Sequence, residues 1–359
     1  MDSRQRAEER AVRVAPLPST TGKNPYHDLF YQALEPFGVT RVRDVVYDVG
    51  WFQERRGRVD WVHIHFPGYL CDCNSPSRWY AVRGSLRFVA FRFRLRLMGF
   101  RIAWTCHNIL PHQSRSRVLD WLAHVALAKL AHLVIVHSHA GRRDLARYFG
   151  RVRNVVHVPL GHLIGVYPNT ITREAARRRL GLPEGAAVYL FLGYIWPYKG
   201  VEELIDAFRA LEDPDGVLVL AGEPLSAEYR QALVARIGSD ARIHPCFGLV
   251  ADEDLQVYFN AADLTVLPFR KVLTSFSLML SLSFGVPVLV RRIGSIIEYL
   301  SPEVAHIMGR DETLTQGMAR AQARRRRGEL KSGAPVLGWS RLFDWERMAR
   351  VVAPTLGSG

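Results

Sequence analysis

The chain has 359 residues, more than one hydrophobic core of ordinary size holds, and this length fits two domains. Hydrophobic residues account for 48% of the sequence and charged residues for 23%, which excludes an intrinsically disordered chain. Lys and Arg number 48 against 34 Asp and Glu, and the net charge of +14 favours anionic partners such as nucleotide diphosphates, nucleic acid or acidic lipid.

The N-terminal region predicts neither a signal peptide nor a membrane span. Its opening segment is charged and lacks an apolar centre, and no stretch reaches the roughly 18 uninterrupted apolar residues of a span. A first strand is predicted at Val12–Leu17, and the loop that follows carries Gly22 and Asn24 before a helix. Gly22 would let the backbone approach a ligand closely, with a simple surface turn as the alternative. Residues 42–46 and 59–66 are the next predicted strands.

Neither a metal site nor a disulfide is predicted in this half. His63 and His65 alternate on one face of a strand, but no carboxylate or cysteine with ligand spacing supports them as metal ligands. A histidine at the C-terminal end of a parallel strand more often points into a ligand cleft. The four cysteines are predicted to be reduced thiols in a cytosolic protein: Cys71, Cys73, Cys106 and Cys246.

Residues 83–100 predict a helix with two apolar faces separated by arginines. A crossover helix fits better than a strand because another strand, at 102–106, follows at once. The two faces consist of Phe88, Phe91 and Leu95 on one side, and of Leu86, Val89, Phe93 and Leu97 on the other. One face can cover the sheet. The other is either buried in the domain or meets an anionic membrane surface, with Arg92 and Arg96 among the flanking charges.

His107 directly follows the predicted strand at 102–106, at the edge where open α/β sheets hold ligands. A lone histidine there would more often be a structural hydrogen-bonding group than a catalytic one. Further elements of this half are helices at 117–132 and 138–150 and strands at 133–137 and 155–158. The glycine- and proline-rich stretch after them, which includes His162, predicts a connector between domains.

The second half repeats the alternation of strands and helices, which predicts a second domain with a parallel, doubly wound sheet. Its predicted strands are residues 188–192, 217–221, 242–244, 264–267 and 286–290. Four consecutive arginines at 324–327 predict solvated surface, with contact to an anionic membrane as the alternative.

The first strand of this half leads into a predicted phosphate cradle. The strand ends at Gly193, the loop carries Tyr194 and Lys199, and a helix follows directly. A glycine turn, a lysine and a helix N-terminus suit a phosphate group, whereas a plain connection with a surface lysine is the alternative. Ser275 and Ser277 predict a second helix N-terminus whose free N–H groups would face a phosphate.

Several of these motifs resemble the GT-B glycosyltransferases of family 4, also called group 1. Gly193, Lys199 and Gly200 stand in the family's G-R-L-x-x-x-K-G pattern, although Tyr194 replaces its arginine. The run GLVADEDLQVYFNAADLTVLP and the later GSIIE resemble the family's nucleotide-binding segments. The string WTCHNILPH resembles a subset that acts on exopolysaccharide or lipid-linked saccharide.

The resemblance implies an α/β fold of the GT-B type, with two Rossmann-like domains facing a central cleft. The acceptor-binding domain would span 1–165, the nucleotide-sugar-binding domain 166–335, and a C-terminal helix at 336–359 would cross back to the first domain. The activity implied is metal-independent transfer of a sugar from a nucleotide-diphosphate donor to an acceptor hydroxyl. No further cofactor is implied, and the acceptor would be a lipid-linked or polysaccharide-precursor saccharide.

The resemblance also implies roles for individual residues, with His107 as the catalytic group and no metal ligands. Donor-binding residues would be Gly193, Tyr194, Lys199, Phe247, Leu249, Ser275, Phe276, Ser277 and Glu298. Acceptor-side residues would be Gly22, Asn24, His65, His112 and His162.

The charge pattern and the resemblance together lead to expectations about the partners, the location and the stereochemical outcome of the reaction. We expect an anionic membrane surface as a partner, no nucleic acid, and a cytoplasmic location, either free or peripheral on the inner face of the membrane. Val272 and Leu280 stand where the family has paired glutamates, so retention and inversion both stay open, and inversion would need a base such as Asp28 or Asp72. Two other functions remain: a catalytically silent GT-B scaffold and a basic nucleic-acid-binding protein.

Overall fold

A computed structural model describes residues 11–19, 22, 24–70, 78–110 and 116–357. The chain forms two compact units. The first consists of Met1–Leu160 with Asp344–Gly359, and the second is Gly161–Phe343. The domain bounds inferred from the sequence remain a prediction, and they differ from these units by several residues at each junction.

The first unit is built on a parallel sheet of six strands in the order β2-β1-β3-β4-β5-β6. Its strands are β1 (Val12–Leu17), β2 (Val39–Arg41), β3 (Trp61–Ile64), β4 (Arg101–Thr105), β5 (Leu133–Val136) and β6 (Val155–His157). Its first five helices are α1 (Tyr26–Leu34), α2 (Val49–Glu54), α3 (Arg78–Leu97), α4 (Arg117–Leu130) and α5 (His139–Phe149). The strand order reverses between β1 and β3, so the ends of these strands form the crevice where such sheets bind ligands.

The second unit repeats this architecture, with six parallel strands in the order β12-β11-β10-β7-β8-β9. Its strands are β7 (Ala187–Leu192), β8 (Gly216–Gly222), β9 (Ile243–Phe247), β10 (Leu264–Leu267), β11 (Val288–Val290) and β12 (Ala305–Ile307). Its helices are α6 (Arg173–Arg179), α7 (Val201–Arg209), α8 (Ala227–Ile237), α9 (Leu255–Ala261), α10 (Phe276–Ser283), α11 (Leu314–Arg326) and α12 (Ala334–Ser340). Here the order reverses between β7 and β10, which makes their ends the binding crevice.

The last helix, α13 (Trp345–Gly357), belongs to the first unit. The indole nitrogen of Trp61, on β3, donates a hydrogen bond of 2.9 Å to the carbonyl of Leu356. The ring of Trp345 lies 5.7 Å from that of Tyr26, on α1. The helix therefore closes the core of the first unit although it comes last in the chain.

One strand prediction was wrong, and two short strands were not predicted. No strand forms at 42–46, because β2 ends at Arg41 and Asp44 takes a positive φ of 52° that breaks the extended backbone. The strands without a prediction are β2 and β12, of three residues each, which lack a run of apolar residues. The other predicted strands overlap observed ones.

Asp263, at the start of β10, ties several elements of the second unit together. Its carboxylate is buried and accepts from the backbone N–H of Val188 at 2.8 Å and from the guanidinium groups of Arg177 at 2.9 Å and Arg325 at 3.0 Å. Arg324 donates to the carbonyl of Ala305 at 3.1 Å. The first two arginines of the run at 324–327 are therefore half-buried and held by internal partners, which the prediction of solvated surface did not anticipate.

Candidate functional site

The candidate donor site lies at the carboxyl edge of the second sheet, where β7 and β10 end side by side. Gly200 ends the short turn after β7 with a φ of 74°, and a Cβ there would lie 2.5 Å from the carbonyl oxygen of Pro268, which follows β10. No side chain fits such a contact, so glycine is required where the two loops cross. This crossing brings Lys199 to the crevice between the strands.

Lys199 and Ser277 converge on Gly193. A Cβ on Gly193 would lie 3.2 Å from Nζ of Lys199 and 3.0 Å from Oγ of Ser277. Gly193 also has a φ of 137°, which residues with side chains rarely adopt. The ammonium group, the hydroxyl group and an uncovered stretch of backbone thus meet in one small space, as a phosphate site requires.

The ammonium group of Lys199 has no carboxylate partner among the residues that the structure describes. Its Nζ lies 5.6 Å from the centre of the Phe269 ring, and burial lowers its pKa from the usual 10.5 to about 8. Burial makes the charged form less favourable than in water, and an anion that joined it would restore favourable electrostatics. The group is therefore suited to bind a phosphate.

Helix α10 completes this edge of the sheet. Its N-cap is Ser275, whose side chain accepts a hydrogen bond of 3.1 Å from the N–H of Leu278. Phe276 and Ser277 form the first turn, where free backbone N–H groups and the helix dipole favour an anion. The two serines predicted for a helix N-terminus thus lie at one.

The remaining predicted donor residues lie on neighbouring loops of the second unit. β9 ends at Phe247, and the N–H of Gly248 then donates to the carbonyl of Gly222 at 3.0 Å, which holds this loop against the end of β8. Leu249 and Tyr194 expose 56% of their surface each. Glu298 is exposed and lies in a single helical turn, Ile296–Tyr299, after β11. Their roles stay predictions.

A cluster of buried imidazoles occupies the carboxyl edge of the first sheet. This histidine cluster consists of His27, His63, His65, His107 and His137, which are at most 7% exposed. The ring of His107 stacks on Phe66 at 4.4 Å and meets Tyr26 edge-on at 4.7 Å. The predicted catalytic histidine therefore belongs to an aromatic network, of which the sequence indicated only His63, His65 and His107.

Two tyrosines of α1 bind the histidine cluster through their hydroxyl groups. Tyr31 bonds Nδ1 of His63 at 2.9 Å and Nε2 of His65 at 3.0 Å. One hydroxyl proton serves both bonds, so the hydroxyl donates to one imidazole and accepts from the other. Nδ1 of His137 lies 3.0 Å from a backbone carbonyl, to which it donates, and its Nε2 therefore accepts from the hydroxyl of Tyr26 at 3.0 Å.

Burial keeps the histidine cluster uncharged. It lowers the pKa of His27 to about 3 and of His137 to about 4, and it holds the pKa values of His63, His65 and His107 well below 6.5. Neighbouring imidazoles add to the effect, since none favours a second positive charge nearby. At neutral pH the cluster offers polar contacts without charge, as an uncharged hydroxyl-bearing ligand would need.

The other predicted residues of the first unit have different surroundings. Gly22 has a φ of 63°, and Oδ1 of Asn24 accepts from the N–H of Tyr26 at 3.0 Å, which starts α1. Asp28, the described candidate for a base, has an exposed carboxylate that pairs with Arg41 at 2.5 Å. His162 lies in the second unit, and its acceptor role stays a prediction. His112, Asp72, Cys71 and Cys73 fall outside the described residues. The cysteines described, Cys106 and Cys246, are free thiols.

One face of α3 remains exposed and combines apolar side chains with arginines. We call it the arginine–apolar face, and it consists of Trp79, Arg83, Leu86, Arg87, Phe93, Arg94 and Leu97. Trp79 is 75% exposed and Leu97 70% exposed. Helix α4 packs beside α3 and extends this surface with Val118, Trp121 and Leu122. No described helix combines the length and apolar character that a bilayer crossing demands.

The two apolar faces predicted for this helix thus differ in burial: one is buried and the other is largely exposed. Phe88, Phe91 and Leu95 are buried, as predicted for the sheet-covering face. The alternative that both faces are buried was wrong. The prediction for Arg92 was also wrong, because its guanidinium is fully buried, stacks on Phe88 at 3.8 Å and donates to the carbonyl of Ala123 at 3.1 Å. Burial lowers its pKa to about 9.

Sequence comparison now connects the chain to known proteins. The family described as glycosyl transferases group 1 matches residues 172–321. The GDP-mannose:glycolipid 4-beta-D-mannosyltransferase of Xanthomonas campestris pv. campestris is 28% identical over 290 residues, which cover 78% of this chain and 74% of that enzyme. The chain is a glycosyltransferase similar to those of group 1. It moves a sugar from a nucleotide-sugar donor to a saccharide acceptor.

Solved structures agree on the fold of this glycosyltransferase. A sucrose-phosphate synthase from Thermosynechococcus elongatus matches with a TM-score of 0.74 and 18% identity, over 96% of this chain and 98% of that one. The HepE protein of Anabaena, in complex with UDP-glucose, matches with a TM-score of 0.72 and 17% identity, over 97% and 100% of the two chains. The prediction of a two-domain α/β fold of the GT-B class is confirmed.

Proposed function

We propose that this glycosyltransferase transfers mannose from GDP-mannose to a saccharide carried on a glycolipid, while the first unit rests on an anionic membrane. The observation that carries the proposal is the arginine–apolar face of α3, which gives the enzyme a surface suited to a lipid-borne acceptor. The choice of donor and acceptor is supported by the similarity to the glycolipid mannosyltransferase of Xanthomonas.

The donor side of the proposal rests on Lys199 and α10. A glycosyl transfer leaves negative charge on the departing nucleoside diphosphate, and a prepositioned cation with helix N–H groups stabilises that charge. Lys199 lies without a carboxylate partner among the described residues, 3.2 Å from the Cβ position of Gly193. These groups would stabilise the negative charge of the leaving diphosphate. His107, kept uncharged by its surroundings, is proposed to orient or polarise the sugar.

The membrane side rests on the chemistry of α3. The exposed tryptophan, phenylalanine and leucine side chains can enter the headgroup region, while the arginines between them bind lipid phosphates. α3 carries no acidic residue, and the one acidic residue of α4, Asp120, is buried. Nothing on these two helices would therefore repel an anionic lipid surface.

The donor can be tested by thermal shift and by transfer. A ligand at 100 times its Kd stabilises the folded protein by about 2.7 kcal/mol. We expect GDP-mannose to raise Tm, UDP-glucose to raise it much less, and radiolabel from GDP-mannose to enter a glycolipid fraction. Stabilisation by UDP-sugars alone would contradict the choice of donor, and stabilisation by no nucleotide sugar would contradict the function.

Membrane binding can be tested by charge reversal on the exposed face. Arg83→Glu with Arg87→Glu should weaken binding to phosphatidylglycerol vesicles about 30-fold or more, since each arginine near an anionic surface contributes about 1 kcal/mol. Both side chains are exposed, so Tm should not change. Arg230→Glu with Arg310→Glu, which reverses two exposed charges on the second unit, is the matched control. Equal vesicle binding by all three proteins would reject the membrane surface.

A further inference from the structure

The donor site has one charge too few for its ligand. A nucleoside diphosphate sugar carries a negative charge on each of two phosphates, and Lys199 supplies one positive charge. Tyr194 stands where the resembled family has an arginine, and its phenol offers no positive charge. A second cation from elsewhere on this edge of the sheet would neutralise the charge that Lys199 leaves unpaired.

The β10–α10 loop, residues 268–275, borders this site at both of its ends. At its start, the carbonyl of Pro268 lies 2.5 Å from the Cβ position of Gly200. The N–H of Arg270 then donates to the carbonyl of Tyr198 at 2.9 Å, next to Lys199. At its end, Ser275 caps α10, whose Ser277 lies beside Gly193. Both ends of the loop are therefore fixed to the walls of the phosphate cradle.

This loop carries two cations, Arg270 and Lys271, and no acidic residue. Both side chains are exposed. Glu203, on α7, is the carboxylate nearest to Arg270, but their closest charged atoms are 3.9 Å apart. Glu203 already forms a tighter ion pair with Arg291, which also holds the loop by donating to the carbonyl of Pro268 at 3.2 Å. Arg270 is thus only weakly neutralised, and no ion pair of Lys271 occurs among the described residues.

We propose that Arg270 and Lys271 bind the diphosphate of the donor together with Lys199 and replace the arginine that Tyr194 displaces. This inference rests on the proposed function, since it assumes a nucleoside diphosphate at this edge. Arg291 and Glu203 act as positioning residues. Their ion pair holds the loop and leaves neither charge free to bind the phosphates.

The test measures binding of free nucleotides by calorimetry to the full chain. Arg270→Ala and Lys271→Ala should each weaken GDP binding about tenfold, and the double variant about 100-fold, as expected for lost charge-assisted contacts. GMP lacks the second phosphate, so its affinity should fall much less. Lys331→Ala removes an exposed lysine near the opposite edge of the same sheet and should leave both affinities unchanged.

The outcomes separate this inference from the proposed function. Unchanged GDP binding by the double variant, with binding lost in Lys199→Ala, would overturn the role of the loop and leave the donor site in place. An equal loss for GDP and GMP would also overturn it, because the contact would not be to the diphosphate. If the wild type binds UDP instead of GDP, the same comparison with UDP and UMP decides the inference. Absence of binding to either diphosphate would overturn both.

Discussion

Lys199→Met is expected to lower donor affinity or turnover by roughly ten- to a hundredfold. The reason is the loss of a charge-assisted contact to the diphosphate, worth about 1.5–3 kcal/mol. Methionine fills similar space without charge, so Tm should stay near that of the wild type. Lys199→Arg should rescue only partly, because a broad planar guanidinium does not replace a compact ammonium group. Steady-state transfer kinetics measure the turnover of both variants, and nucleotide calorimetry measures their donor affinity.

The pH dependence of donor binding provides the control for Lys199. Burial lowers the pKa of its ammonium group to about 8, so the charge, and with it donor affinity, should be lost as the pH rises above about 8. The methionine variant should lack this decline. A variant with full activity, or one that loses activity only by unfolding, would return Lys199 to a structural role and remove the central argument for the donor site.

The first unit is expected to lose stability steeply below pH 6.5. The members of the histidine cluster are uncharged in the folded protein, with pKa values of about 3 for His27 and about 4 for His137. In the unfolded chain they would titrate near 6.5, so the unfolded state binds more protons as the pH falls. Each histidine then removes about 1.4 kcal/mol of stability per pH unit. For the five together, the loss between pH 6 and 5 is on the order of 5 kcal/mol.

His27 is a suitable position for testing this pH dependence of stability. Neither of its ring nitrogens has a hydrogen-bond partner among the described residues, and its ring lies 4.1 Å from that of His65. His27→Phe should therefore keep the packing and reduce the slope of unfolding free energy against pH by about one proton. His244→Phe, in the second unit and outside the histidine cluster, is the matched control. Denaturant unfolding at pH 5.0 to 7.5 measures it, and a flat profile for the wild type would contradict an uncharged buried cluster.

Part of the site could be found from the sequence because its signals are local. Gly193, Lys199 and Ser275 each lie within a few residues of a strand end or helix start, and such ends are marked by apolar runs, glycines and capping residues. The alternation of these elements also predicts parallel sheets. The family resemblance added the donor class, which no periodicity alone supplies.

The histidine cluster could be only partly predicted. His63 lies in β3, and His65 and His107 come just after strands, so all three could be recognised as residues near a sheet edge. Tyr31 and His137 gave no signal of their own. The bond of Tyr31 to His63 and that of Tyr26 to His137 depend on α1 lying across the ends of β3 and β5. The pattern YHDLFY in the sequence indicates an aromatic helix face but not the side chains that it meets.

The sequence alone determined most of the strands and the longer helices, since an apolar run or a helical period is a property of the segment itself. Only the tertiary structure decided which of two equally apolar faces of α3 is covered. Phe88 and Phe93 are the same residue type on the same helix, yet the first is fully buried and the second is 54% exposed. Arg92 is buried because a carbonyl of α4 lies within reach of its guanidinium. A partner distant in sequence supplies that contact, so no local pattern can encode it.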